Sequence, residues 1–143
     1  MISSGNKPQT PIVRYFAQDK NKPIIETKET FYDMGTINVK DTQEKEFVVK
    51  NRGTKPLLLS EISSSCGCTT GQIIYKGALS KEFSMHDQSD YMAQIEPQTS
   101  AIIKVVYKPF AMPVYGNVER QVFMSTNDPS IPKLEFKIKA YVQ

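Results

Sequence analysis

Two cysteines, Cys66 and Cys68, stand on either side of Gly67, and a thiol pair at that spacing supports three kinds of chemistry. On an extended strand, side chains at i and i+2 point the same way with Cα atoms about 6.6 Å apart, near the upper separation a disulfide spans. A strand therefore holds the pair as a dithiol. If Gly67 bends the chain, as its missing Cβ permits, the pair closes into a tight and reducible ring, which is a redox switch. Two thiolates converging from one side are also half of a soft-metal site for Cu(I) or Zn(II). A purely structural pair is the plain alternative, because free cysteine is among the most buried residue types.

A metal site needs further ligands. His86 is the only histidine, and it lies beside Met85 and six residues before Met92. Imidazole and thioether suit Cu(I), so the metal reading takes Cys66 and Cys68 as thiolate ligands, with His86, Met85 and Met92 supplied by the surrounding segment. In the ordinary reading the methionines fill core gaps and the histidine is solvated. Hydrolytic machinery is thin. The chain has no G-x-S-x-G elbow, and its one histidine allows only a Cys66 or Cys68 nucleophile with His86 as base. Gly-rich phosphate loops are also missing from the sequence. The expectation is a protein that is not an enzyme.

Composition narrows the partners. The 143 residues carry 18 Lys and Arg against 15 Asp and Glu, a formal charge of +3. That balance excludes a strongly electrostatic binder, and Lys133, Lys137 and Lys139 are spread singly as on a solvated strand face, so no nucleic acid is expected. At 39% hydrophobic residues the chain reads as one globular domain, long enough to bury roughly 68% of its extended-chain surface. Apolar runs such as Leu57 to Leu59 fall far short of the roughly 20 residues of a membrane helix. The start, Met1 to Pro8, lacks the charged and apolar stretches of a signal peptide, which reads as a cytosolic chain or the mature form of an exported one.

These residues must be positioned by strands. Residues 1 to 23, with Pro8, Pro11 and Pro23 around an apolar island at Ile12, Val13, Tyr15 and Phe16, read as a loose arm that packs its island on the domain edge. Residues 24 to 143 read as the folded domain. There, short runs rich in Val, Ile, Phe and Tyr are broken every eight to twelve residues or so by Gly, Pro, Asn and Asp, the pattern of an all-β sandwich of seven or eight strands. Leu134, Phe136, Ile138, Ala140 and Val142 alternate with polar neighbours, as do Phe47 and Val49, and Ile103, Val105 and Tyr107, so each set marks a buried face. Thr30 to Val39 reads as one strand bent at Gly35. Asn51 to Pro56 and Asn127 to Pro129 read as turns. Gly77 to Gln94 is polar, long and without clean period, and reads as an extended excursion between strands, of the kind that is functional or mobile.

Phe31-x-x-x-Gly35-x-Ile37, Phe47-x-x-x-Asn51-x-Gly53-x-x-Pro56-Leu57, Ser65-Cys66-Gly67-Cys68-Thr69-Thr70 and Ser125 to Pro129, in this order and spacing, resemble a bacterial domain family of unknown function. Its hallmark is an S-C-G-C-T motif, and it is related to the Hydin-like and major sperm protein immunoglobulin-fold domains. The resemblance spans roughly residues 24 to 142. It departs at Met34, where the family usually has an aromatic residue, and at the Gly77 to Gln94 excursion, which is longer than the family's plain version. The resemblance implies an immunoglobulin-like antiparallel β-sandwich, frequent export to the periplasm or cell surface, and no established activity. Together these readings lead to an exported, non-enzymatic binding module, with another protein as partner and Cu(I) or Zn(II) held by the C-x-C pair. The alternative is a redox-active or purely structural pair on an interaction domain.

Overall fold

The computed structural model of the protein describes residues 14–85 and 90–143. It contains β1 (Ile25–Glu26), β2 (Phe31–Ile37), β3 (Gln43–Asn51), β4 (Leu57–Ser64), β5 (Thr69–Tyr75), β6 (Ala78–Leu79), β7 (Met92–Ile95), β8 (Ser100–Tyr107), β9 (Gly116–Thr126) and β10 (Lys133–Val142). The only helical element among the described residues is a short 3-10 turn at Pro109–Ala111. Two five-stranded sheets face each other, one ordered β1-β3-β8-β5-β6 and the other β2-β10-β9-β4-β7. Pairing is antiparallel except that β2 runs parallel to β10, with Phe31 opposite Lys137. The fold is a β-sandwich, as the spacing of apolar runs and turns predicts, and it is immunoglobulin-like, as the family resemblance implies.

Alternation places the core. Leu134, Phe136, Ile138, Ala140 and Val142 of β10 are buried, as are Phe47 and Val49 of β3 and Ile103, Val105 and Tyr107 of β8. Phe47 and Phe136 meet across the sandwich with ring centroids 4.8 Å apart. At Gly35, inside β2, φ is 74°, a left-handed conformation that glycine adopts without strain and that bends the strand as expected.

Two expectations need correction. Among the described residues ten strands form rather than seven or eight, because β1 and β6 are two-residue pairings too short to leave a periodic signal. The stretch from Gly77 to Gln94 is not simply an excursion. It contains β6, it bridges back to β5 through Gly71 and Phe83, and it ends in β7, which pairs with β4. Phe83 is fully within the core and packs on Tyr91 at 5.3 Å. The apolar contacts of this stretch are single residues spaced by polar ones, so no period of two or 3.6 betrays them.

The sandwich has two unlike ends. At one, the turn residues Asn51, Asn127 and Asp128 are buried and fully engaged with backbone. Asn51 accepts from the N–H groups of Gly53 (2.9 Å) and Ile24 (3.3 Å) and donates to the carbonyls of Lys55 (2.8 Å) and Ile95 (3.0 Å). Asn127 accepts from Leu58 N–H at 2.8 Å and donates to Pro56 O, while Asp128 accepts from Ile25 N–H at 2.8 Å and Ser130 N–H at 2.8 Å. The lower part of the arm is tied here too. Thr54 N–H donates to Lys22 O, and its hydroxyl bonds Asn21. Tyr15 is half-buried and Phe16 exposed, and both line a cleft with Leu58, Asn127 and Pro132. Ile12 and Val13 lie outside the described residues.

Candidate functional site

At the other end, two connections cross from sheet to sheet side by side. Ser65 to Cys68 joins β4 of one sheet to β5 of the other, and residues 108 to 115 join β8 to β9 in the opposite sense. Lys108 N–H donates to Cys68 O at 2.8 Å, so the two crossings are hydrogen-bonded to each other. The first is braced on all sides. Ser65 N–H donates to Gln121 O at 2.9 Å, and Gln121 N–H returns a bond to Ser65 Oγ at 2.9 Å. The buried hydroxyl of Ser64 is shared between the carbonyls of Cys66 (2.7 Å) and Thr69 (2.6 Å), and Thr69 N–H closes the turn on Cys66 O at 3.2 Å.

That turn brings Cys66 and Cys68 together, bonded as a disulfide with Cα atoms 5.2 Å apart. The shorter separation replaces the 6.6 Å of a strand because neither cysteine lies in one. The bend does not draw on glycine's special freedom, since Gly67 is not among the glycines with positive φ. A Cβ at Gly67 would sit 3.8 Å from Met112 Sδ, an ordinary contact. Both cysteines are buried, Cys66 at 7% exposure and Cys68 at 2%.

Two neighbours of the pair escaped the sequence reading. Met112, from the second crossing, places Sδ 3.9 Å from Cys66 Sγ and is itself 50% exposed. Arg120 of β9 donates Nε–H to Cys68 Sγ at 3.3 Å. Arg120 follows Val118 and precedes Val122 and Met124 at the same parity, and those three are buried. An arginine thus occupies a core-facing position and turns its guanidinium to sulfur. Its signal was present in the sequence, as a charge at the apolar phase of a strand. Met112 had none, because it lies in a non-periodic turn 46 residues from Cys66.

Tyr107, the last residue of β8 and the register partner of Thr69, completes this end. Its side chain is fully buried and its hydroxyl lacks a hydrogen-bond partner among the described residues. Burial pushes the phenol above its ordinary pKa, and the charge of Arg120 pulls it partly back. The second crossing presents Phe110, Met112, Val114 and Tyr115, all exposed, and of these Met112 touches the pair. Close approach of the two sheets beneath is set by Gly71, where a Cβ would come within 2.6 Å of Val122 Cγ1.

Of the other expected ligands, Met85 and Met92 are among the described residues. Met92 belongs to β7 and stands opposite Ser60, roughly 13 Å back along β4 from Ser64 at strand rise. Met85 is half-buried, two residues beyond the Phe83 bridge to Gly71 that turns the chain back toward Thr69. His86 lies outside the described residues. Cys66 Sγ accepts from the Cys68 N–H at 3.0 Å and meets Met112 Sδ, while Cys68 Sγ accepts from Arg120 and lies 3.4 Å from the Thr69 hydroxyl.

With this geometry in hand, comparison with known proteins gives the chain its setting. Residues 25–85, which include the C-x-C turn, match the family described as protein of unknown function, DUF1573. A protein of unknown function from Porphyromonas gingivalis W83 is similar in structure, with a TM-score of 0.63 and 20% identity over 85% of this chain and 48% of that one. This chain therefore spans about half the length of that relative. The ASH / PapD-like domain 7 of human CEP192 is similar at a TM-score of 0.53 and 13% identity, covering 96% of this chain and 97% of that one. The secreted serine protease VesC of Vibrio cholerae contains a similar region at a TM-score of 0.51 and 8% identity, over 87% of this chain and 24% of the protease. At these identities the likeness is one of fold. None of the curated proteins matches this sequence. Among the described residues no helix is long and apolar enough to cross a membrane.

Proposed function

We propose that this domain is a non-enzymatic protein-interaction module, working in an oxidising compartment outside the cytosol, whose Cys66–Cys68 pair opens and closes as a thiol/disulfide switch. The observation that carries this reading is the disulfide's position. It closes a ring of three residues on the sheet-crossing turn, bordered by Arg120 and by exposed apolar side chains.

A staple that short does little for folding. In the loop-entropy account it contributes about 1.6 kcal/mol, against about 3 kcal/mol for a 15-residue loop. A pair with so small a structural return, held beside a cation, is suited to chemistry instead. The two sulfurs are not equivalent. Cys66 is the more exposed, and Cys68 receives the Arg120 N–H. An incoming thiolate attacks Cys66 Sγ, the S–S bond breaks, and its electron pair leaves on Cys68 Sγ, where the guanidinium stabilises the negative charge. A second thiol of the same reductant then displaces Cys66, so that two thiols form here and one disulfide forms on the reductant. Phe110, Met112, Val114 and Tyr115 supply the apolar surface on which a protein partner rests during that exchange. Export suits a pair of this kind, because disulfides persist in oxidising compartments.

The test is equilibration of the native chain in dithiol redox buffers of graded potential, with alkylation and mass measurement of the free thiols. Reversible two-electron opening, at a potential above the roughly −300 mV of stable structural disulfides, is expected while the fold stays intact by circular dichroism. A pair that opens only when the domain unfolds would sink the switch.

A further inference from the structure

We infer that, once opened, Cys66 and Cys68 form with Met112 a three-sulfur site for a monovalent soft cation, Cu(I), with Arg120 balancing its charge. The inference rests on the proposed switch, since the sulfurs must be free. It adds to the two cysteines a third ligand supplied by the fold.

Distance comes first. Metal–thiolate bonds near 2.3 Å in a trigonal arrangement set the sulfurs about 4.0 Å apart. Cys66 Sγ and Met112 Sδ already stand at 3.9 Å. The cysteine Cα atoms, 5.2 Å apart, leave room for Cys68 Sγ to swing to a similar separation by side-chain rotation after the bond opens. One edge of the triangle is thus preformed.

Ligand type and charge then choose the ion. Thiolate and thioether are soft donors that favour Cu(I). Two thiolates, one neutral thioether and Cu(I) carry a net charge of −1, and the Arg120 guanidinium at the Cys68 sulfur brings the cluster to zero. With Zn(II) the same groups would total +1 in a largely buried place, which costs desolvation without compensation. Arg120 Nε–H also serves as the hydrogen-bond donor that orients a ligating sulfur from behind. Met112, being half exposed, gives the ion a path from solvent. On binding, the two thiols release their protons as Cu(I) takes their place, so disulfide and metal-bound forms exclude one another.

The experiment uses the full chain, reduced with a dithiol, freed of reductant without oxygen and assayed for thiols before a chromophoric chelator competes for Cu(I). Two native thiols are expected, then one Cu(I) per chain with three sulfur ligands by X-ray absorption. Met112→Leu should lower affinity at least about tenfold and leave two sulfurs, Arg120→Gln should lower it about tenfold, and Met92→Leu should leave it unchanged. Zn(II) should compete poorly. If no thiols appear in the folded chain, both the switch and the site fall. If two thiols appear but Cu(I) stays with the chelator, or if Met85→Leu rather than Met112→Leu weakens binding, the three-sulfur site alone falls.

Discussion

The two ends of this sandwich solve the same problem in opposite ways. Each must carry the chain from one sheet to the other and close the core against water. The Asn51 end does so with short amide and carboxylate side chains that satisfy the turn backbone, so that its buried polar groups are paired. The cysteine end braces its backbone equally well, through Ser64 and Ser65, yet leaves a buried phenol without a partner, an arginine at a core-facing position and four large apolar side chains in solvent. Groups that cost stability and do not repay it in packing collect where function requires them. By energetics alone the Asn51 end is the structural one, and the cysteine end carries the features on which the proposed switch rests.

The largest effect that would sharpen this contrast is expected at Asn51. Asn51→Ala strands the Gly53 N–H and the carbonyls of Lys55 and Ile95 in or near the core, and at about 1–3 kcal/mol per stranded group the loss should reach about 3–5 kcal/mol. A denaturant midpoint that scarcely moves would erase the distinction. At the other end the sign reverses. Tyr107→Phe removes a hydroxyl that has no partner and should raise stability by about 1 kcal/mol.

The same substitution gives a pH test. Because the native phenol's pKa is raised, the native state keeps its proton longer than the unfolded chain, and stability falls as pH climbs beyond the ordinary tyrosine value of about 10. The stability difference between the native chain and its Tyr107→Phe variant should be constant at neutral pH and widen in favour of the variant above that value. A flat difference would mean that the phenol ionises in the fold as readily as in the unfolded chain, so that burial does not hold its proton. The smallest expected effect is at Gly67. With positive φ absent and an added Cβ only in ordinary contact with Met112, Gly67→Ala should shift stability by less than about 0.5 kcal/mol. A loss beyond about 2 kcal/mol in thermal unfolding would show that the turn does depend on glycine's freedom.

How far the molecule could be read beforehand follows the same division. The strands of the core were legible because Phe136 and its neighbours, or Phe47 and Val49, repeat with the period that pleating imposes. Asn51, Gly53 and Asn127 were legible as turns by local chemistry. The site was legible only where it too is local, in the C-x-C spacing. Its other members come from β9 and from the β8–β9 crossing, and nothing in the sequence around Cys66 points to Met112. Arg120 could have been found by asking why a cation holds the apolar phase of β9. Proximity in sequence points instead to Met85, His86 and Met92, whereas Met92 is drawn into a strand opposite Ser60.

The parallel pairing of β2 with β10 has a consequence for how the chain folds. Phe31 meets Lys137, so β2 waits for a partner about a hundred residues downstream, the kind of distant contact that slows folding. Until β10 arrives, β2 has no partner on either side, and afterwards it remains the outer strand of its sheet, with Phe31 and Tyr32 exposed. Slow, late pairing of that strand makes it the place where nascent chains would first adhere to one another, and where a holding chaperone would be needed longest.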